Sequence, residues 1–342
     1  MKAARLHRIG EKLSIDDVDM PAVGPNDVIV DIRASGICHS DLNYRDGVSR
    51  VGKLPIILGH EIAGLVSEKG EHVRGIEEGD RVLVHYIRSC GNCSLCLTKR
   101  ENLCEQYQMI GKDIDGGFAE YVKVPAINVL KLPGTVPLEE ACILGCAVST
   151  TYHALKRGRI RAGDTVAVYG VGGLGAQAIS LAKILDAEKI IAVDVSDEKL
   201  RLAKKLGADE VVNARTEDPV HRIDEMTKGK LVDLVLDLVG VAKVIEQEIQ
   251  CVGKGGRMVL VGIGKDDIRV SPYKTIIGKE MEIIGVNDHL RSELTELIEM
   301  VESQRMNLST SITHRVRLDE VNTGLRILEE GIGNPIRVVV VK

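Results

Sequence analysis

Two textures of apolar and polar positions divide the chain. Over roughly the first 147 residues, short Val/Ile runs alternate with Gly, Pro and charged residues. VIVDIRASGI, EIAGLVSEKG, GDRVLVHYI and GFAEYVKVP read as short strands broken by turns, which predicts an irregular β domain. From about residue 148 the period changes. TVAVYGVGG is an apolar strand entering a Gly-rich turn, and LGAQAISLAKILD carries the apolar spacing of a helix. KIIAVDV and DEKLRLAKKLGA repeat the strand–helix pair, and EVVNA, LVDLVLDLVG and GGRMVLVGI continue it. Near-continuous apolar strands alternating with helices predict a parallel sheet covered on both faces, an α/β arrangement. After MEIIGV, a helix is expected near 292–303, then β-like sequence ending in RVVVV. The chain has no repeats, low-complexity tracts or long polar linkers, so the junction between the two parts is expected to be tight.

Length and charge narrow the function classes. A chain of 342 residues, 44% hydrophobic and 28% charged, has the balance of a soluble two-domain protein. Lys plus Arg number 45 against 50 Asp plus Glu, a net charge of −5, which argues against nucleic acid as a partner. No apolar run approaches the ~20 residues that cross a bilayer, and the N-terminus lacks a signal-peptide core. The expectation is a cytoplasmic protein without a membrane partner. With one Phe and no Trp, the core must be mostly Val, Ile, Leu and Ala.

The first candidate chemistry is a glycine fingerprint. Gly170-Val171-Gly172-Gly173-Leu174-Gly175 fits GxGxxG, follows an apolar strand and opens a helix, and Asp194 ends the next strand. Gly170 would allow the tight turn, Gly172 the approach of a pyrophosphate, and Gly175 close helix–strand packing. The helix N-terminus would offer free N–H groups to the phosphates. Asp194 would accept from the adenosine ribose hydroxyls and repel a 2′-phosphate, which favours NAD over NADP. An ordinary tight turn in an α/β sheet is the alternative.

The second is a set of cysteines. Of eight, four stand as Cys90-x2-Cys93-x2-Cys96-x7-Cys104. Four soft ligands on one loop suit a closed tetrahedral structural zinc site. Free thiols, or an iron–sulfur centre, are the alternatives; the ferredoxin spacing and its terminal Pro are lacking. Three scattered pieces, Gly36-Ile37-Cys38-His39-Ser40-Asp41, Gly59-His60-Glu61 and Gly145-Cys146, could supply a further metal site, or only a structural His and a small buried thiol.

Taken together these motifs, with GHEIAGLVSEKGEHV, GGFAEYV and LGCAVSTTYHAL in that order, resemble the zinc-dependent medium-chain alcohol dehydrogenases over essentially the whole chain. The resemblance implies a GroES-like catalytic domain from 1–147 and 285–342, interrupted by a Rossmann NAD-binding domain at 148–284. It implies two zinc ions per subunit. Cys38, His60 and Cys146 would hold the catalytic one, with Glu61 behind it, and Cys90, Cys93, Cys96 and Cys104 the structural one. Asp41 would orient His60, and Ser40 would carry the substrate proton outward. Thr150 and Leu174 fall at nicotinamide contacts and Lys199 at an adenosine-ribose contact. Arg337 falls near a pyrophosphate contact; Lys199 and Arg337 also read as solvated surface charges. Tyr86, and Tyr44 near it, fall where substrate-pocket aromatics stand, or they simply pack. Cys142 and Cys251 read as buried structural residues.

The implied activity is reversible hydride transfer between a primary or secondary alcohol and NAD+, giving an aldehyde or ketone. A polyol, sugar, cyclic hydroxyacyl or threonine-like amino alcohol is the alternative substrate class. A zinc- and nucleotide-binding protein without catalysis is a more remote reading, and zinc-free quinone reduction would not need Cys38 or the four-cysteine loop. The resemblance also implies a homotetramer or homodimer. The 10 Asn and 6 Gln are few, which leans towards a thermophilic source.

One departure is Asn43, where many relatives end the proton relay in a His. Asn does not titrate. The expected pH profile of kcat therefore lacks a step from a relay histidine. Restoring it with Asn43→His, and following kcat over about pH 6 to 9, tests this. An unchanged rate takes position 43 out of the relay.

Overall fold

The computed structural model describes all residues 1–342 and divides into two compact units, Met1–Ser149 with His289–Lys342, and Thr150–Asp288. No helix is long and apolar enough to cross a membrane.

The second unit is built on a six-stranded parallel sheet. Its order is Glu210–Asn213, Lys189–Asp194, Thr165–Tyr169, Val232–Asp237, Val252–Leu260, Glu282–Gly285. In sequence order this is 3-2-1-4-5-6, the doubly wound arrangement of the Rossmann fold. The middles of the central strands are apolar because both faces are covered; Ile190, Ile191, Ala192 and Val193 are all buried. The helix Asp197–Leu206 shows how local chemistry sets the boundaries. The Ser196 side chain accepts from the Lys199 N–H, acids occupy the first turn and lysines the last, and Gly207 stops the helix at φ +115°.

The first unit holds a seven-stranded sheet centred on the long strand Asp27–Ile37. That strand pairs antiparallel with Glu61–Lys69, Tyr121–Pro125 and Arg337–Val341. Arg81–Val84 pairs with Glu61–Lys69 on the far side. Three helical segments absent from the strand pattern complete the part that matters for function. They are His39–Arg45, Leu138–Ile143 and the π-helical turn Leu144–Val148.

Glu248, on the helix Ala242–Cys251, is fully buried in the second unit, and neither carboxylate oxygen has a hydrogen-bond partner. Burial, with Asp237 adding, pushes its carboxyl up to about 9. The folded state thus keeps a proton that the unfolded chain releases from about pH 4.5 upward, so stability falls as pH rises towards 9. Glu248→Gln removes this dependence. Its stability advantage over wild type should grow by up to about 1.4 kcal/mol per pH unit between about pH 5 and 9. Urea midpoints measured across that range read the effect.

Candidate functional site

The sheet register assembles the first site. Gly36 pairs with Glu61, so Cys38 stands just past the end of one strand where Gly59 and His60 lead into its neighbour. Val338 pairs with Ile37, which brings Arg337 to the same end. Cys146 comes from the π-helical turn Leu144–Val148, and the adjacent Gly145 packs on the Glu61 backbone, its missing Cβ position 3.5 Å from Glu61 Cα. Ligand atoms of Cys38, His60, Glu61 and Cys146 consequently lie within 4.8 Å of one another.

Asp41 ties this cluster to the helix His39–Arg45. It is fully buried; Oδ2 accepts from the Cys38 N–H at 2.8 Å and Oδ1 from the Gly59 N–H at 3.3 Å. His60 Nδ1 lies 3.3 Å from the same Oδ1, close but without hydrogen-bond alignment. With Nδ1 turned to Asp41, Nε2 is the atom left for a metal, and it makes no hydrogen bond in its buried position. A hydrogen bond with Cys146 pulls the Cys38 thiol down against burial, and Cys146 is pushed up in return. Burial pushes the Glu61 carboxyl up to about 7 against the pull of Arg337, whose Nη1 lies 3.2 Å from Oε1. Two thiols, an imidazole with a vacant nitrogen and a carboxyl in one buried place form a donor set suited to a divalent cation.

Other residues singled out from the sequence surround this set. Ser40 Oγ accepts from Cys38 Sγ at 3.7 Å. Tyr86 stands edge-on to His60 with ring centroids 5.2 Å apart, and Tyr44 does so at 6.4 Å while its hydroxyl donates to Met109 Sδ. Asn43 is half-buried. Arg337 is only 2% exposed, which corrects the surface-charge alternative: the strand register carries it inward against Glu61. Cys142 and Cys251 are both buried, and the Cys251 sulfur lies 3.1 Å from the Tyr169 hydroxyl, with which it shares a hydrogen bond.

Cys90, Cys93, Cys96 and Cys104 form the second cluster. Four sulfurs each about 2.3 Å from one zinc ion stand about 3.8 Å apart. The separations are 3.9 Å for Cys90–Cys96, 3.5 Å for Cys93–Cys96 and 4.0 Å for Cys93–Cys104. Backbone N–H groups point at the sulfurs, from Cys93 to Cys90 Sγ and from Cys90 and Gln106 to Cys104 Sγ. Such bonds, chiefly from the Cys96 backbone, hold the Cys93 thiol down to about 6.

In the second unit the glycines behave as three different devices. Gly170 turns at φ +88°; a Cβ on Gly175 would meet Gly170 O at 1.9 Å; Gly172 faces open space and caps the helix Gly173–Ile184. Asp194 Oδ2 accepts from the Val171 N–H at 2.7 Å, and Oδ1 from Val195 and Ser196. Lys199 is half-buried on the helix Asp197–Leu206. Leu174 and Thr150 are half-buried as well, and the Thr151 hydroxyl donates to Leu174 O at 3.4 Å.

The chain is similar to known proteins over its whole length. Residues 24–134 match the alcohol dehydrogenase GroES-like domain, and residues 173–303 match the zinc-binding dehydrogenase model. An alcohol dehydrogenase of Geobacillus stearothermophilus is 38% identical over 97% of this chain and 96% of its own. The chain belongs to the zinc-dependent medium-chain alcohol dehydrogenase family. An NAD-dependent alcohol dehydrogenase of Sulfurisphaera tokodaii is 36% identical over 96% of both chains. The crystal structure of an alcohol dehydrogenase from Aeropyrum pernix superposes with a TM-score of 0.91 at 36% identity, covering 100% of both chains.

The contact between Glu61 and Arg337, and the stacking of His85 and His289 on Tyr86, carry no short-range signal in the sequence. Gly36 has a similar hidden duty, since a Cβ there would meet Glu61 Oε2 at 2.0 Å. Gly36→Ala should drive Glu61 from its place and cost about 1–3 kcal/mol. A lower Tm together with weaker metal binding at the Cys38, His60, Glu61 and Cys146 cluster, but not at the four-cysteine cluster, is the expected result.

Proposed function

We propose that the protein interconverts a primary or secondary alcohol and its aldehyde or ketone with NAD+ as hydride acceptor. The observation that carries this reading is the buried convergence of Cys38, His60 and Cys146, in a chain that also holds a nucleotide turn closed by Asp194. Bound to these residues, zinc supplies a Lewis acid that acidifies an alcohol, and NAD+ supplies the hydride acceptor.

The chain's own groups do the remaining work. Asp41 holds the His60 ring so that one nitrogen stays directed at the metal position. Ser40, beside the Cys38 sulfur, accepts the substrate's hydroxyl proton and passes it outward. Asn43 cannot receive it as a base, so it leaves through ribose hydroxyls and water or through another group. Tyr86 and Tyr44 line the substrate side of His60. The free N–H groups opening the helix Gly173–Ile184 hold the pyrophosphate, with Gly172 leaving room for it. Asp194 and Lys199 hold the adenosine ribose, and Thr150 and Leu174 position the nicotinamide; Arg337, buried against Glu61, braces that carboxyl. Cys146 as third ligand, rather than a carboxylate, favours simple alcohols over polyols and threonine. The family resemblance supports a cytoplasmic homo-oligomer, a dimer or tetramer.

Zinc analysis paired with an NAD+-dependent panel of simple alcohols, butanediol, sorbitol and threonine tests the reading. Two zinc ions per subunit and turnover on simple alcohols are expected. Ser40→Ala should keep both metals and lower kcat about 100-fold or more. One zinc ion per subunit and no turnover on any alcohol would overturn the proposal.

A further inference from the structure

The four-cysteine loop reaches beyond its own metal. It contains the turn Glu101–Leu103, and Glu101 Oε1 accepts a hydrogen bond from the Arg291 backbone N–H at 2.9 Å. Arg291 begins the helix Arg291–Glu302, so this N–H has no partner within the helix and lies at its positive end. A carboxylate from the loop thus fastens the start of a helix 190 residues away. The Arg291 side chain adds a second tie. Its Nε donates to Ile127 O at 2.9 Å and its Nη2 to Val129 O at 3.1 Å.

Both ties act next to His60. Val129 pairs with Val84, and His85 and Tyr86 follow directly. Asn128 Nδ2 clamps this segment by donating to His85 O at 2.6 Å and Ile87 O at 2.8 Å. Two residues before Arg291 lies His289, fully buried. Its ring stands 5.0 Å from Tyr86, edge-on at 85°, and 5.0 Å from His85. Tyr86 in turn stands edge-on to His60 at 84°. Edge-to-face rings at these spacings attract and resist rotation. Burial pushes His85 down to about 3, with Arg291 adding, so a neutral ring completes the stack. Asp41 restrains His60 from the Nδ1 side only; its ring tilt is set by what packs against it, and Tyr86, at 5.2 Å, is a nearer ring than Tyr44 at 6.4 Å.

We propose that Glu101 and Arg291 are positioning residues for the metal ligand His60, acting through His289 and Tyr86. The four-cysteine loop, once folded around its metal, then sets the geometry of the other metal site. This rests on the reading of Cys38, His60 and Cys146 as metal ligands.

Chelator competition on the full-length protein, and the visible spectrum with cobalt at the His60 site and zinc in the four-cysteine loop, test the idea. Glu101→Ala should weaken metal binding at the His60 site about 10-fold and shift the cobalt bands, with the four-cysteine site still filled. Glu101→Gln keeps an oxygen facing the Arg291 N–H and should restore both readouts. In a Tyr86→Leu background, Glu101→Ala should add nothing further. A Glu101→Ala protein with a lower Tm but wild-type affinity and spectrum would overturn the proposal, leaving the contact a mere brace. Should that variant not fold, Arg291→Lys, which loses the double carbonyl clamp, reads the same two quantities. A wild-type protein that binds only one metal ion overturns the catalytic reading and this inference together. Two bound metals with unmoved variants overturn this inference alone.

Discussion

Ionisable donors cannot be buried together unless something neutralises them, and this constraint shapes the centre of the first unit. Cys38, His60, Glu61 and Cys146 are all inside, with Arg337 against Glu61. Without a metal, protons must do the neutralising. Glu61 rises to about 7 because it is withdrawn from water, while the hydrogen bond between Cys146 and Cys38 holds Cys38 down and pushes Cys146 up, with burial adding to the rise of Cys146. A divalent cation replaces those protons with two positive charges at the one point where the donor atoms meet. The rest of the site serves that replacement. Gly36 carries no side chain because the Glu61 carboxyl occupies its place, and Asp41 spends its oxygens on the Cys38 and Gly59 backbones, fixing the residues on either side of the metal position.

The nucleotide turn obeys a steric constraint. Gly175 sits against the Gly170 carbonyl so closely that no side chain fits, which lets the helix Gly173–Ile184 start hard against the strand Thr165–Tyr169. Asp194 answers from the neighbouring strand. One oxygen accepts from Val171 inside the turn, the other from Val195 and Ser196. The acid proposed to hold the ribose therefore also braces the loop that holds the phosphates. Replacing it would disturb both, so loss of cofactor binding on such a change does not by itself prove ribose contact.

Legibility followed sequence distance. The alternating strands and helices of 165–285 were plain, because each element carries its own period, cap and turn. The four cysteines and GxGxxG were plain for the same reason: all their parts lie on one loop or turn. Cys38, His60 and Cys146 could be joined only through a family resemblance, since their meeting depends on a register between strands and on a helical segment that the apolar pattern did not announce. Arg337 read equally well as a surface charge because its position is decided by Val338 pairing with Ile37, which no local signal encodes. His289 and its stack on Tyr86 gave no sign at all; a histidine beside an aspartate ahead of a helix looks like an ordinary turn.

The same difference in distance separates the two metal sites physically. The four cysteines lie within residues 90–104, and two of their N–H···S bonds are internal to that loop. Closing so short a loop costs little chain entropy, so this site can fill early and turn binding energy directly into local folding. The other site exists only after the strands carrying Cys38, His60 and Arg337 have found their register and the π-helical turn has docked. Long-range closure of that kind comes late and tolerates little error in position. A contact from the early loop to the late site, such as Glu101 to Arg291, is then placed where it does most good. It lets the part of the unit that metal has already stiffened hold the stack behind His60 while the remaining ligands converge.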